Sequence, residues 1–385
     1  VIKIAIVTTH PIQYYAPFFA LLSTNPALDV HVFYTGGQAL SGSKYDVDFG
    51  ASIEWDIPLL QGYRFTFLHN KAKEPGSHHF RGIDSPSSVA AITNYSPNYI
   101  LIYGWAYKTH LRIMKHFKGR IPIWFRGDST LLDQKKGVQR LLRNLFLKWV
   151  YKGIDKALYV GEENKKYFKA MGFKDSQLAF MPHAVDNERF AEPRQQEAMA
   201  LRSELGISPD EKVILFAGKL EAKKDPELLI DAFIELNAPM VHLLIVGSGT
   251  FRERIRRKAK DNVKIHLLDF RNQSYMPVLY QACDIYCLPS KGPGETWGLA
   301  VNEAMASGRA VLVSDRVGCA ADLVKPGKNG YVFRSGSDIS LKENIQRMLS
   351  NDLHQPGGES KRIVEQYSFR EQLNTILELV KSYLI

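Results

Sequence analysis

With 385 residues, 45% of them apolar, the chain is long enough to bury two cores of ordinary size, and two domains are the expectation. No run is long and apolar enough to cross a membrane, and three cysteines, Cys283, Cys287 and Cys319, are too few for a disulfide framework and lack a His cluster for zinc. The formal net charge of +10 is uneven: residues 112 to 152 hold eleven Lys and Arg against two Asp, a local +9 that points to an anionic partner such as a membrane surface, a lipid-linked phosphate or nucleic acid.

IKIAIVTT, residues 2 to 9, reads as a buried parallel strand rather than a signal peptide, because neither a basic leader nor a small-residue cleavage site accompanies it. The expected compartment is the cytoplasm. HPIQYYAPFFALLS then has helical apolar spacing, and DVHVFYTGG reads as a second strand. Such alternation marks a doubly wound α/β domain, where ligands gather at the C-terminal ends of the strands. His10 falls at such an end and is read either as a hydrogen-bonding group of a cleft or as a cap for the following helix. The stretch 41 to 86 is rich in Gly, Ser, Asp and His with weak periodicity, so loop and hairpin outside the core are expected there. His78 and His79 lack a second ligand cluster and are read as surface loop. YILIYG and IPIWFRGD are two further strands with small or polar ends. In KKGVQRLLRNLFLKWVYKG, Val138, Leu141, Leu142, Leu145, Phe146, Trp149 and Val150 share one helical face, while Lys135, Lys136, Arg140, Arg143 and Lys148 populate the rest. That apolar face is expected to be mostly core, with the charges left available to an anionic membrane or an acceptor.

KALYVGEENKKYFKAMGF continues with a strand and a helix, and EPRQQEAMALRSELGISPDEK, charged and without a strand pattern, reads as a linker with an entry helix. VILFAGKLEAKKDPELLIDAF opens a second α/β domain. Its strand ends at Gly218, and Lys219 and Lys224 follow five residues apart before a helix. Ammonium groups there suit a diphosphate as mobile point charges; a charged surface turn is the plainer alternative. HLLIVGSGTFRERIRRKAK is strand, glycine turn and helix, and its G-S-G lacks the third glycine of a dinucleotide fingerprint because position 252 is Arg.

Residues 288 to 315, LPSKGPGETWGLAVNEAMASGRAVLVSD, read as a strand end, a Pro/Gly-rich loop, a short helix from Leu299 to Ala306 and another strand. A loop opening directly onto a helix leaves the first amides pointing outward, ready for phosphate. Glu295 and Glu303 bracket that mouth, with Glu303 roughly 7 Å along the axis from Gly298. Carboxylates repel phosphate and suit hydroxyls, so the pattern suggests a ligand with hydroxyls at both ends and phosphate between them: a nucleoside diphosphate sugar. Two glutamates alone would suit a solvated surface helix equally well.

The surrounding text, PS...E-T-W-G-L-A-V-N-E-A-M-A-S-G-R-A-V-L-V-S-D, resembles the signature of the family-four retaining glycosyltransferases. The resemblance implies a GT-B fold: two Rossmann-like doubly wound domains facing across a cleft, with a C-terminal helix crossing back to the first domain. It also implies that Glu295 contacts the donor sugar and Glu303 the ribose, that Gly298 and Leu299 lie at the phosphates, and that backbone near Phe270 and Arg271 contacts the base. GKLEAKKD resembles the family's G-R-L-x-x-x-K-G, whose Arg and Lys bind the diphosphate, with Lys219 for Arg and Asp225 for Gly. Two departures fall in the first half. HPIQYY stands where a Gly-Gly loop is usual, and Asp128, two positions after Arg126, stands where a sugar-contacting His is usual. FMPHAVDNERF resembles the family's P-N-G-V-D segment, with His183 for Asn and Ala184 for Gly. Glycosyltransferases of the other major fold hold a divalent metal with D-x-D; Asp46 to Asp48 have that spacing, but nothing else fits that fold and a solvated turn is the reading.

The expectation is therefore a retaining transferase that needs no metal. Its domains span 1–190, with a helix at about 368–385, and 191–367. Glu295, Lys224, Lys219, His10 and Asp128 are its catalytic candidates; a glycan or lipid-linked acceptor and an anionic membrane surface along 112–152 are its partners. A non-catalytic sugar-nucleotide-binding protein on the same fold is the alternative. An epimerase or phosphorylase lacks its required residues, and no recognition motif accompanies the basic segment for nucleic acid.

Overall fold

The strand-like apolar runs form two separate parallel sheets in the computed structural model, which describes residues 1–38, 44–46, 51–132, 137–350 and 354–382, without the side chains of 44–46, 51–53 and 354. Two compact units result. One comprises Val1–Lys44, Ile57–Pro182 and Phe369–Ile385, the other Tyr45–Asp56 and His183–Ser368.

The first unit contains β1 (Ile2–Thr8), β2 (Leu28–Tyr34), β5 (Arg64–Phe67), β6 (Tyr99–Tyr103), β7 (Ile123–Arg126), β8 (Lys156–Tyr159) and β9 (Leu178–Phe180); β3 (Lys44–Asp46) and β4 (Ala51–Ile53), which but for Lys44 belong to the other unit, pair among the described residues only with each other. The seven-stranded order is β5-β2-β1-β6-β7-β8-β9. Its helices are α1 (Ala16–Ser23), α2 (Ser88–Tyr95), α3 (Lys108–Phe117), α4 (Val138–Tyr151) and α5 (Glu162–Ala170). β1, β6 and β7 are buried on both faces, as their continuous apolar runs require. β5 falls in the stretch 41 to 86, where loop and hairpin are the expectation. It is an edge strand, flanked among the described residues only by β2, and a strand with one such neighbour and partial burial needs no apolar run to betray it.

The second unit holds α6 (Asn187–Ala191), α7 (Gln195–Glu204), β10 (Lys212–Ala217), α8 (Pro226–Leu236), β11 (Val241–Val246), α9 (Arg252–Ala259), β12 (Ile265–Leu268), α10 (Met276–Ala282), β13 (Ile285–Leu288), α11 (Leu299–Ala306), β14 (Ala310–Ser314), α12 (Ala320–Leu323), β15 (Gly330–Phe333), α13 (Asp338–Leu349) and α14 (His354–Val364). The strand order β12-β11-β10-β13-β14-β15 reverses direction between β10 and β13. In open α/β sheets ligands bind at that reversal, outside the carboxyl ends of the strands. The loops after β10 and β13 carry Lys219, Lys224 and Glu295.

The last helix, α15 (Phe369–Ser382), returns to the first unit as expected. Ile376, Leu379 and Val380 join the core around α1, Phe18 packs on Phe369 with ring centres 6.4 Å apart, and Gln372 Nε2 donates to the Pro182 carbonyl at 2.6 Å. Helix α4 departs from expectation. Leu147, Val150 and Tyr151 are its buried residues; of the face expected in the core only Val150 is among them, and its other members, from Val138 to Trp149, face solvent. At about 100° per residue, Leu147 lies opposite Val138 while Trp149 lies almost above it, so only one of the two faces can meet the sheet. The core takes the narrower one, and the expectation that the stripe is mostly core is overturned.

Candidate functional site

Each side of the β10/β13 reversal contributes one loop, and the two loops are stitched together. The Lys291 amide donates to the Lys223 carbonyl at 2.8 Å, and Lys291 Nζ pairs with Asp225 at 3.1 Å. Asp225 precedes α8 with φ 49°, a left-handed conformation that costs most residues energy and that Asp tolerates better than most. Here Asp keeps the backbone geometry available to the Gly of the resembling motif and adds a carboxylate for Lys291.

Lys224 Nζ donates to Glu295 Oε2, and Ser290 Oγ donates to the same oxygen at 2.9 Å. Glu295 is buried, and the Lys224 side chain is only 18% exposed. Glu295 also anchors its loop, accepting the Gly318 amide on its carbonyl at 3.0 Å, while Trp297 accepts the Cys319 amide at 3.0 Å. Burial, aided by Asp322 and Glu295, holds the Cys319 thiol well above the usual range, so it stays neutral beside the site. Lys219 lies on the same loop as Lys224. It is half-buried, and its neighbour Leu220 donates an amide to the Ser248 carbonyl at 2.9 Å.

Gly298 caps α11 with φ 96°, and a Cβ there would meet Val317 Cγ1 at 2.8 Å and Leu288 Cδ2 at 3.0 Å. Glycine is required for both the backbone and the space. The Glu295 loop runs directly into α11, and the first amides of a helix, here those that follow the Gly298 cap from Leu299 on, have no intrahelical acceptor. One turn in, Trp297 Nε1 donates to Asn302 Oδ1 at 2.8 Å, and Asn302 Nδ2 donates to the His183 carbonyl at 3.2 Å, both side chains being buried. Glu303 is buried too, its Oε2 accepting from the Tyr280 hydroxyl at 2.6 Å. Phe270 and Arg271 follow β12 at the sheet edge, where the Arg271 guanidinium stands 5.3 Å from the centre of the Tyr275 ring.

Structure thus joins Lys224 to Glu295 directly and sets Gly298, Leu299 and Glu303 on one helix. Tyr280, Asn302 and Ser290 escaped the sequence reading. Tyr280 sits in an apolar helical run where an aromatic reads as core, and only the tertiary position of its hydroxyl distinguishes it.

In the first unit, His10 follows β1, with Nδ1 2.8 Å from Thr9 Oγ1, and Asp128 is exposed just beyond β7. Arg126 is buried and donates to the Met181 and Pro182 carbonyls, which assigns it to holding the end of this unit's main segment. Tyr15 is pushed up to about 12, chiefly by burial and then by the Asp128 charge, with Arg126 opposing. Among the described residues no three His, Cys, Asp or Glu side chains gather as a metal-holding set. The triplet Asp46 to Asp48 lies outside the described residues apart from the backbone of Asp46.

Residues 198–368 match the family described as "Glycosyl transferases group 1". Two similar curated proteins are an uncharacterized glycosyltransferase of Methanocaldococcus jannaschii, 33% identical over 40% of this chain and 40% of that protein, and a GDP-mannose-dependent monoacylated alpha-(1-6)-phosphatidylinositol monomannoside mannosyltransferase of Corynebacterium glutamicum, 29% identical over 52% and 54%. The chain thus spans about half the length of the curated relatives it matches. Among solved structures, HepE of Anabaena in complex with UDP-glucose superposes with a TM-score of 0.72 at 18% identity, over 99% of this chain and 100% of that one. The fold is therefore GT-B, two Rossmann-like α/β domains in one chain, and its second domain carries the sequence pattern of group 1 glycosyl transferases.

Proposed function

We propose that this chain is a retaining glycosyltransferase, moving a sugar from a nucleotide diphosphate sugar to a hydroxyl of a glycan or lipid-linked acceptor. The observation that carries the reading is the Lys224–Glu295 pair at the strand-order reversal, beside the open mouth of α11. With donor bound, Lys224 and Lys219 turn their charge to the diphosphate together with the Gly298 and Leu299 amides. They stabilise the negative charge that builds there as the bond from the sugar's anomeric carbon to phosphate breaks. Glu295, partly relieved of Lys224, accepts from sugar hydroxyls, and Glu303, already oriented by Tyr280, accepts from the ribose. Backbone near Phe270 and Arg271 takes the base.

The acceptor oxygen bonds to the anomeric carbon on the face from which phosphate leaves, and its proton passes to a departing phosphate oxygen. No divalent metal is assigned a role. His10 and Asp128, at strand ends of the first domain, are the proposed sugar or acceptor contacts there. Support comes from the group 1 family match, from the GDP-mannose-dependent relative and from the UDP-glucose complex of a protein with this fold.

A thermal-shift panel of UDP-, GDP- and ADP-sugars tests it, since a ligand that binds only the native state raises the melting temperature. One base series is expected to raise it, with transfer or slow donor hydrolysis in the same mixtures. No shift with any donor sinks the proposal, and binding without either reaction replaces it with a non-catalytic sugar-nucleotide-binding protein.

A further inference from the structure

Helix α4 presents an apolar face that the described residues of its own unit leave largely uncovered. Val138, Leu141, Leu142, Leu145, Phe146 and Trp149 are all exposed, Leu142 at 62% and Trp149 at 63%. All six are linked at spacings of three and four, so they form one continuous stripe, with Phe146 and Trp149 stacked at 6.0 Å between ring centres. Soluble proteins rarely leave a contiguous apolar patch of this kind without a use for it. The patch is rigidly held, because Leu147, Val150 and Tyr151 on the opposite face lie in the core with Ile113 and Phe117 of α3, and Phe146 also leans edge-on against Trp105 at 5.8 Å. Every residue from Val138 to Arg143 is exposed, so the first turns of the helix project beyond the core.

Charge decides what covers the stripe. Helix α4 carries Arg140, Arg143 and Lys148 and no Asp or Glu, within a segment whose net charge is +9. A second copy docked face to face would bring these cations against their own counterparts, which like-charge repulsion opposes. An anionic lipid surface satisfies both features at once. The stripe enters the boundary between headgroups and acyl chains, Trp149 settles at that depth as amphipathic aromatics do, and the Arg and Lys side chains reach the phosphates. We propose that α4 is an interfacial helix that docks this protein on an anionic bilayer by inserting its Leu142, Leu145 and Trp149 side. Docking needs no nucleotide sugar, so it stands or falls separately from the transfer chemistry.

The test is co-sedimentation of the full chain with phosphatidylcholine vesicles, with and without phosphatidylglycerol, at low and high salt. Expected is partitioning that requires phosphatidylglycerol and weakens with salt. Arg140→Gln and Arg143→Gln should each weaken it roughly fivefold, and Leu142→Gln with Leu145→Gln should abolish it. Brominated lipid should quench tryptophan fluorescence in the wild type, and Trp149→Phe should remove that quenching while the protein still binds. The altered side chains are exposed, so unchanged melting temperatures are expected, and the two charge variants leave the apolar stripe intact should the Leu pair disturb folding. Failure to partition onto phosphatidylglycerol vesicles overturns the proposal. So does partitioning that none of these variants alters, or a monomer–dimer equilibrium lost in Trp149→Ser without vesicle binding, which would assign the stripe to a second copy.

Discussion

The Tyr280 hydroxyl meets Glu303 Oε2 at 2.6 Å between α10 and α11, with both side chains buried. Burying a carboxyl group is costly unless hydrogen bonds replace its lost hydration, and a donor fixed on a neighbouring helix also fixes its direction. Tyr280 thereby sets the rotamer with which Glu303 is proposed to receive a ribose. Tyr280→Phe removes the donor and keeps the ring, so nucleotide affinity by calorimetry should fall about tenfold, about 1.4 kcal/mol, near the lower end for hydrogen bonds to charged groups. Glu303→Ala should cost more. Unchanged affinity in both variants would remove the ribose assignment.

Lys224 and Glu295 pose a different question, since a largely buried ion pair adds little net stability yet is costly to break on one side. Lys224→Ala leaves the Glu295 carboxylate with Ser290 but without its counter-charge and should lose about 3 kcal/mol of stability along with the proposed turnover. Lys224→Met combined with Glu295→Gln removes both charges and should recover most of that stability in urea denaturation while abolishing the proposed sugar transfer. A double variant that turns over normally would make the pair structural only.

His110 supplies a pH signature. It is buried between Thr35 Oγ1, 2.9 Å away, and the Gly104 carbonyl, 2.8 Å away, and burial lowers its pKa from 6.5 to about 4, with hydrogen bonds to the Gly104 and Tyr103 backbone opposing. The unfolded chain takes up this proton as pH falls through about 6.5, the folded one only near 4. Stability is therefore full above 6.5 and drains away between 6.5 and 4, by roughly 3 kcal/mol in total, with no further loss from this group below that. In His110→Gln the difference in stability from wild type should change with pH across that window. A constant difference would show that His110 does not titrate as buried.

Much of the candidate site is legible in the chain because its parts are local. A loop that opens on a helix, a glycine at the cap, lysines five apart at a strand end and carboxylates two turns apart are short-range patterns, and the Asp225 conformation and the Gly298 contacts give physical reasons for the residues found there. The alternation of apolar strands with helical spacing likewise determined the fold class, since parallel strands buried on both faces admit few other sequences.

What tertiary structure alone decided was pairing and side. Lys224 meets Glu295 across 71 positions, Tyr280 meets Glu303 from another helix, and β5 becomes a strand only because β2 offers an edge. Helix α4 is the sharpest case. Its periodicity established that one apolar stripe exists, but burial depends on which face meets the sheet. Leu147, Val150 and Tyr151 won that contact, leaving Leu142, Leu145 and Trp149 outward. A one-dimensional pattern specifies angles around a helix axis and carries no information about where the rest of the protein stands.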